Sequence, residues 1–127
     1  MKYLFVAAGG SIGAMLRYLI SGMIQRQVLG VFPLGVLWVN ASGCFLGGFL
    51  WEILERTTPS TDLRLFVFVG ILGGYTTFSS FGLESFHLAR NGEIKLAIFN
   101  VIANNVLCLL CVYLGFLTSR SLLNLFK

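Results

Sequence analysis

Residues 70–82 read Gly70-Ile71-Leu72-Gly73-Gly74-Tyr75-Thr76-Thr77-Phe78-Ser79-Ser80-Phe81-Gly82. The stretch lies at the centre of an apolar run from Leu63 to Leu88, where a plain membrane helix would carry aliphatic residues. Adjacent glycines followed by four hydroxyl residues among aromatics favour a helix break. Backbone freed at membrane depth has no bulk water to bond, so protein, a wet cavity or an ion must satisfy it. Broken helices of this kind present carbonyls to cations and helix N-termini to anions. The competing reading is a continuous helix with a small-residue packing face.

Three further apolar runs surround this one. A bilayer-crossing helix needs about 20 apolar residues, and the runs place spans at about 3–24, 32–54, 63–88 and 94–118 of the 127 residues. The first run is too long for a signal peptide, and three more spans follow it. The second is entered through Pro33 and closed by Glu52, Glu55 and Arg56; the clearest loop is Thr57-Thr58-Pro59-Ser60-Thr61-Asp62. A turn at Asn91-Gly92 precedes the fourth. The expected fold is an all-α integral membrane protein, a single four-helix transmembrane domain over residues 1–127 with its third helix broken at mid-membrane.

Composition agrees. Hydrophobic residues make up 57% of the chain and charged residues only 11%, against about 25% charged in soluble domains. With a mean hydropathy of +0.86, the polar surface is too small to solvate a globule. That excludes an ordinary cytosolic enzyme, a disordered chain and a secreted disulfide scaffold. The net charge of +4 does not imply nucleic acid, because basic residues would then gather on one face. Here they stand singly between apolar runs, and membrane flanking explains them better.

With four spans, Lys2, Arg56, Arg64, Arg120 and Lys127 share one side, and Arg26, Arg90 and Lys95 the other. This is a weak orientation bias by the positive-inside rule. It fits insertion both ways, with opposed copies pairing as an antiparallel dimer, and equally a single orientation with modest bias. The cysteines Cys44, Cys108 and Cys111 lie inside apolar runs. Cys108-Leu-Leu-Cys111 has CxxC spacing, but without a second pair it is a weak metal signal, and small interior side chains are the simpler reading.

Polar residues inside the spans carry the functional information. In the first run Gly10, Gly13 and Arg17 fall at i, i+3 and i+7, so the small face and the arginine point the same way. An intramembrane arginine faces protein or water; it would attract an anion, or snorkel to a helix end. In the second run Asn40, Gly43 and Gly47 share a stripe, with Ser42 beside it. In the fourth, Asn100, Asn104, Cys108 and Cys111 fall at i, i+4, i+8 and i+11, with Asn105 adjacent. Such asparagines suggest a wet path more than interhelical glue. A path with N–H and O–H donors and no carboxylate ring suits an anion. Phe78 and Phe81 stand at i, i+3 in the hydroxyl-rich segment. Their positive ring edges suit an anion, although packing explains the spacing as well. Glu84 and His87 do not form a catalytic pair, and no nucleotide-binding or nucleophile–base motif is present. An enzyme is not expected.

Three blocks carry a resemblance: Gly9-Gly10-x-x-Gly13-Ala14-x-x-Arg17-Tyr18, Val39-Asn40-x-x-Gly43-Cys44-Phe45-x-Gly47, and Gly73-Gly74-x-Thr76-Thr77-Phe78-Ser79-x-Phe81. Together and in order they resemble the signature blocks of the Fluc (CrcB) fluoride channels, over essentially the whole chain. The resemblance implies a dual-topology antiparallel homodimer in the bacterial inner membrane. It would enclose two narrow pores through which cytoplasmic fluoride leaves passively, relieving fluoride toxicity. By position, Phe78 and Phe81 resemble the ring-edge pair lining each pore, Asn40 the pore amide, and Arg17 the vestibule arginine. Gly73 and Thr76 match positions whose carbonyls hold a structural sodium on the dimer axis. Thr77, Ser79 and Glu84 also match family positions. Ser80 replaces a common threonine. Asn100, Asn104 and Cys108 replace the serine, tyrosine or histidine often found on helix four, so the anion route there stays open. The implied partners are fluoride, a second copy of the chain and the lipid bilayer, with no nucleic acid. The alternative, a small dual-topology multidrug exporter, needs a carboxylate in helix one, where this chain has Arg17.

Overall fold

The computed structural model describes residues 1–57 and 59–125. Thr58 of the expected loop and Lys127 of the charge count lie outside the described residues. The described chain is all-helical, and Lys2–Gln25, Leu34–Thr57, Thr61–Arg90 and Ile94–Leu125 are each long and apolar enough to cross a membrane.

Helix α1 (Lys2–Gln25) ends in a turn that its own last side chain organises. Gln25 Nε2 donates to the Phe32 carbonyl and its Oε1 accepts from the Gly35 N–H, both at 3.0 Å. The second bond satisfies one of the backbone donors left unpaired at the start of α2 (Leu34–Thr57). Phe32 and Pro33, placed inside the span from sequence, precede this helix.

The third stretch is composite. Helix α3 (Thr61–Arg64) starts at Ser60, whose Oγ accepts from the Leu63 N–H at 3.3 Å. A π-helical segment, Leu65–Leu72, follows, and the Gly73 N–H at its end reaches the Phe68 carbonyl five residues back. One short turn, α4 (Gly73–Tyr75), leads to Thr76 and Thr77, which are extended at ψ 153° and ψ 119°. Helix α5 (Phe78–Arg90) then begins with Thr77 as its cap, its Oγ1 accepting from the Ser80 N–H at 3.1 Å. A threonine there supplies both the extended backbone and the acceptor that a helix N-terminus requires.

The turn expected at Asn91-Gly92 is present. Glu93 N–H bonds the Leu88 carbonyl and Gly92 N–H the Ala89 carbonyl, with Gly92 at φ 85°. This is the Schellman closure, in which glycine takes the left-handed position without a Cβ penalty. Helix α6 (Ile94–Leu125) runs past the expected end at residue 118, so Arg120 is a helical residue and not a flank.

Packing relies on direct backbone approach. A Cβ on Gly9 would strike the Phe66 carbonyl, and one on Gly13 the Ile71 carbonyl. Helix α1 thus lies against the π segment and α4. The face centres on Gly9 and Gly13, one turn apart; Gly10, which the sequence paired with Gly13, lends its backbone against Gly74, but a Cβ on it would meet nothing within 4 Å among the described residues. Arg17 is four residues beyond Gly13 and partly exposed. Helices α2 and α6 meet through Gly48 on the Val112 carbonyl and Gly115 on the Phe45 carbonyl. Gly48, not Gly47, makes the close approach: a Cβ on Gly47 would find only Leu72 Cδ1 at 3.8 Å. Close backbone approach is the general means of helix association where lipid is as apolar as leucine. The outer surface is correspondingly apolar, while fully buried positions include Asn100 and Ser119 beside Val39.

Candidate functional site

Extension at Thr76 and Thr77 turns backbone groups away from the helical ladder, and Asn40 of α2 meets them. Its Oδ1 accepts from the Thr77 N–H at 2.8 Å and its Nδ2 donates to the Thr77 carbonyl at 3.0 Å. One buried amide therefore satisfies both backbone groups of an extended residue, as apolar surroundings demand.

The same Nδ2 donates to Asn104 Oδ1 at 3.1 Å. Asn104 Nδ2 in turn donates to Asn100 Oδ1 at 2.9 Å and to the Asn100 carbonyl at 3.1 Å. Asn100 Nδ2 donates to Ser85 Oγ at 2.9 Å, and Ser85 donates to the Phe81 carbonyl at 2.8 Å. The result is a relay anchored reciprocally on the Thr77 backbone and running one way from Asn40 through Asn104, Asn100 and Ser85 to the Phe81 carbonyl, joining α2, α5 and α6. The structure brings Asn40, Asn100, Asn104 and Thr77 together in one hydrogen-bonded network. It bonds the amides to one another, however, so both Nδ2 protons of Asn40 and of Asn104 are taken up by protein. Asn105 takes no part in the relay; it is exposed, bonded to the Val101 carbonyl, and lines the groove that holds Phe78 and Phe81. Ser85 was not singled out from sequence; its signal is the i+4 step from Phe81, which only the fold shows to face Asn100.

Phe78 and Phe81 sit at the start of α5 with ring centroids 5.1 Å apart and planes at 65°, an edge-to-face pair. Phe81 is 6% exposed and Phe78 78% exposed. Both line an open groove of about 290 Å³ with Asn40, Thr77, Cys44 and Cys108. Ser79 is exposed, its hydroxyl 3.2 Å from Thr77 Oγ1.

Gly73 and Thr76 line a second, larger groove of about 670 Å³ between the π segment, α2 and α6. Thr76 Oγ1 donates to the Leu72 carbonyl at 2.9 Å. Below Thr76, Tyr75 is buried and its hydroxyl pairs with Ser42 at 2.9 Å. Arg17 of α1 is partly exposed. The one ion pair among the described residues lies elsewhere, between Arg56 and Glu52 at 2.5 Å. Glu84 keeps one carboxylate oxygen, Oε2, buried with no hydrogen-bond partner among the described residues, and His87 is exposed.

Comparison with known proteins gives the arrangement a family. A model described as CrcB-like protein, Camphor Resistance (CrcB), matches residues 4–116. The chain belongs to the CrcB family. A curated relative from Parabacteroides distasonis, named Fluoride-specific ion channel FluC, is 43% identical over 127 residues, covering 100% of this chain and 99% of its own. A FluC from Shewanella halifaxensis is 48% identical over 113 residues, 88% of this chain and 90% of its own. One from Hydrogenobaculum sp. is 44% identical over 116 residues, 91% and 94% respectively. The CrcB match reaches into all four long helices and includes every residue of the amide relay.

Proposed function

We propose that this chain is a fluoride-specific ion channel that releases cytoplasmic fluoride passively across a bacterial inner membrane. The observation that carries this is full-length similarity to relatives named Fluoride-specific ion channel FluC. The exporter alternative has no such support, and no enzymatic role is proposed.

The groove beside α5 is the anion route in this reading, and the interruption at Thr76 and Thr77 is the mid-membrane break. Its geometry supports particular roles. Phe78 and Phe81 turn ring edges to the ion, replacing part of its hydration shell. Ser79 offers an exposed hydroxyl, and Thr77 orders it. Asn40 and Asn104 line the route, with Asn100 buried behind them, as an oriented amide relay whose donors an anion gains only by displacing a protein acceptor. Arg17 draws anions to the mouth.

The channel is a dual-topology antiparallel homodimer of single four-helix domains, with a structural sodium on the dimer axis. The Gly73 and Thr76 carbonyls would hold that ion. Their fit rests on the extended Thr76 backbone, the exposure of Gly73 in an otherwise apolar groove, and the hard oxygen donors that a sodium ion takes. Two opposed copies would supply four oxygens.

The test is ion efflux from liposomes containing only this protein, in sodium-containing and sodium-free buffers. Fluoride should leave down its gradient, chloride far more slowly, and sodium-free preparation should lower flux together with dimer recovery. Strict proton stoichiometry or equal chloride flux would overturn the reading.

A further inference from the structure

Helices α2 and α6 keep one register along their contact. Asn40 bonds Asn104, 64 residues on, and eight residues later a Cβ on Gly48 would strike the Val112 carbonyl, again 64 residues on. Cys44 and Cys108 lie midway between these pairs, one turn beyond the asparagines on each helix. The shared register sets Cys108 opposite Cys44 across the seam between the two helices. Both are free and partly exposed, and both line the groove that contains Phe78 and Phe81. Cys111 lines a different groove, beside Trp38 and Leu107.

We propose that Cys44 and Cys108 form a two-thiol site for soft metal ions that accept two sulfur ligands in line, the class of Cu(I), Ag(I) and Hg(II). Thiolates select such ions over hard cations. Among the described residues no group of three or more His, Cys, Asp or Glu is placed to hold a metal, so tetrahedral zinc lacks its ligands. On binding, each thiol releases its proton to water and each sulfur gives an electron pair to the metal. Two S–H bonds break, two S–metal bonds form, and no oxidation state changes. A cation fixed in this wall stands beside the Phe78–Phe81 pair. Fluoride flux should therefore stop when the site fills, a consequence that rests on the channel reading above.

Hg(II) is the probe, added to the purified full chain in detergent and in fluoride-loaded liposomes, with excess glutathione present to strip metal from single thiols. The wild-type chain and C111S should retain one equivalent with the ultraviolet charge-transfer band of a dithiolate, and should lose flux until dithiothreitol is added. C44S and C108S should lose retention by ~100-fold, the scale that joining two ligands in one site adds. Each variant's metal-free flux is its own reference, and size-exclusion chromatography checks that it is assembled. Retention unchanged in both C44S and C108S, or lost in C111S, would overturn the site. Metal-free wild-type flux tests the channel reading separately, because retention in detergent does not depend on transport.

Discussion

Phe78 and Phe81 share a motif and a T-shaped contact but differ thirteenfold in exposure, 78% against 6%. That difference separates pore chemistry from packing. Replacing buried Phe81 by isoleucine nearly conserves volume and should cost less than about 1.5 kcal/mol. The same change at exposed Phe78 should leave the fold almost unaffected. If ring edges solvate fluoride, F78I and F81I should both lose most efflux while the proposed dimer still elutes intact on size-exclusion chromatography. Normal flux in both variants would return the rings to packing. The residue scale was also where the sequence was half legible. The i, i+4 spacing of Asn100 and Asn104 put them on one face of α6, as the structure has them. That Asn40 would bond Thr77 and Asn104, or that Ser85 would close the relay, depends on helix rotation, which spacing within a single helix does not contain.

At the scale of elements, the runs of apolar residues marked every long helix, because hydropathy is summed over about 20 positions and tolerates local error. The π segment Leu65–Leu72 left no such mark: its apolar residues are those of any membrane helix, and the face it turns to α1 is the one that Gly9 and Gly13 approach. The glycine face of α1 was displaced by one residue for a related reason. Gly9, Gly10 and Gly13 fit two overlapping stripes equally well, and only the partner selects Gly9 with Gly13. This choice is measurable. G13A drives a methyl onto the Ile71 carbonyl and toward the Tyr75 N–H at 2.8 Å, an overpacking that costs about 1–3 kcal/mol. G10A meets open space and should be neutral or stabilising by up to about 1 kcal/mol, since alanine favours helix over glycine. Thermal unfolding of the two purified variants in detergent checks the order; equal melting temperatures would disprove the close contact.

The whole molecule shows large apolar side chains on its outside and an amide relay within, an inversion of the soluble pattern that composition alone announced. Its length is less uniform than the sequence implied. At 1.5 Å per residue the 32-residue α6 is about 48 Å long, well beyond a hydrocarbon core of about 30 Å, so it tilts or stands clear of the acyl region. The relay has a further consequence at this scale. Every link from Asn40 to Phe81 donates in the same sense, so one chain is electrically polarised along its path and would present different ends to an ion entering from either side. In the proposed antiparallel pair the second copy carries the opposite polarity, and the two pathways together erase the bias. The current–voltage relation of the reconstituted dimer should therefore be symmetric about zero, without rectification. A tandem fusion forced into parallel orientation, if it conducts, should pass fluoride more readily in one direction.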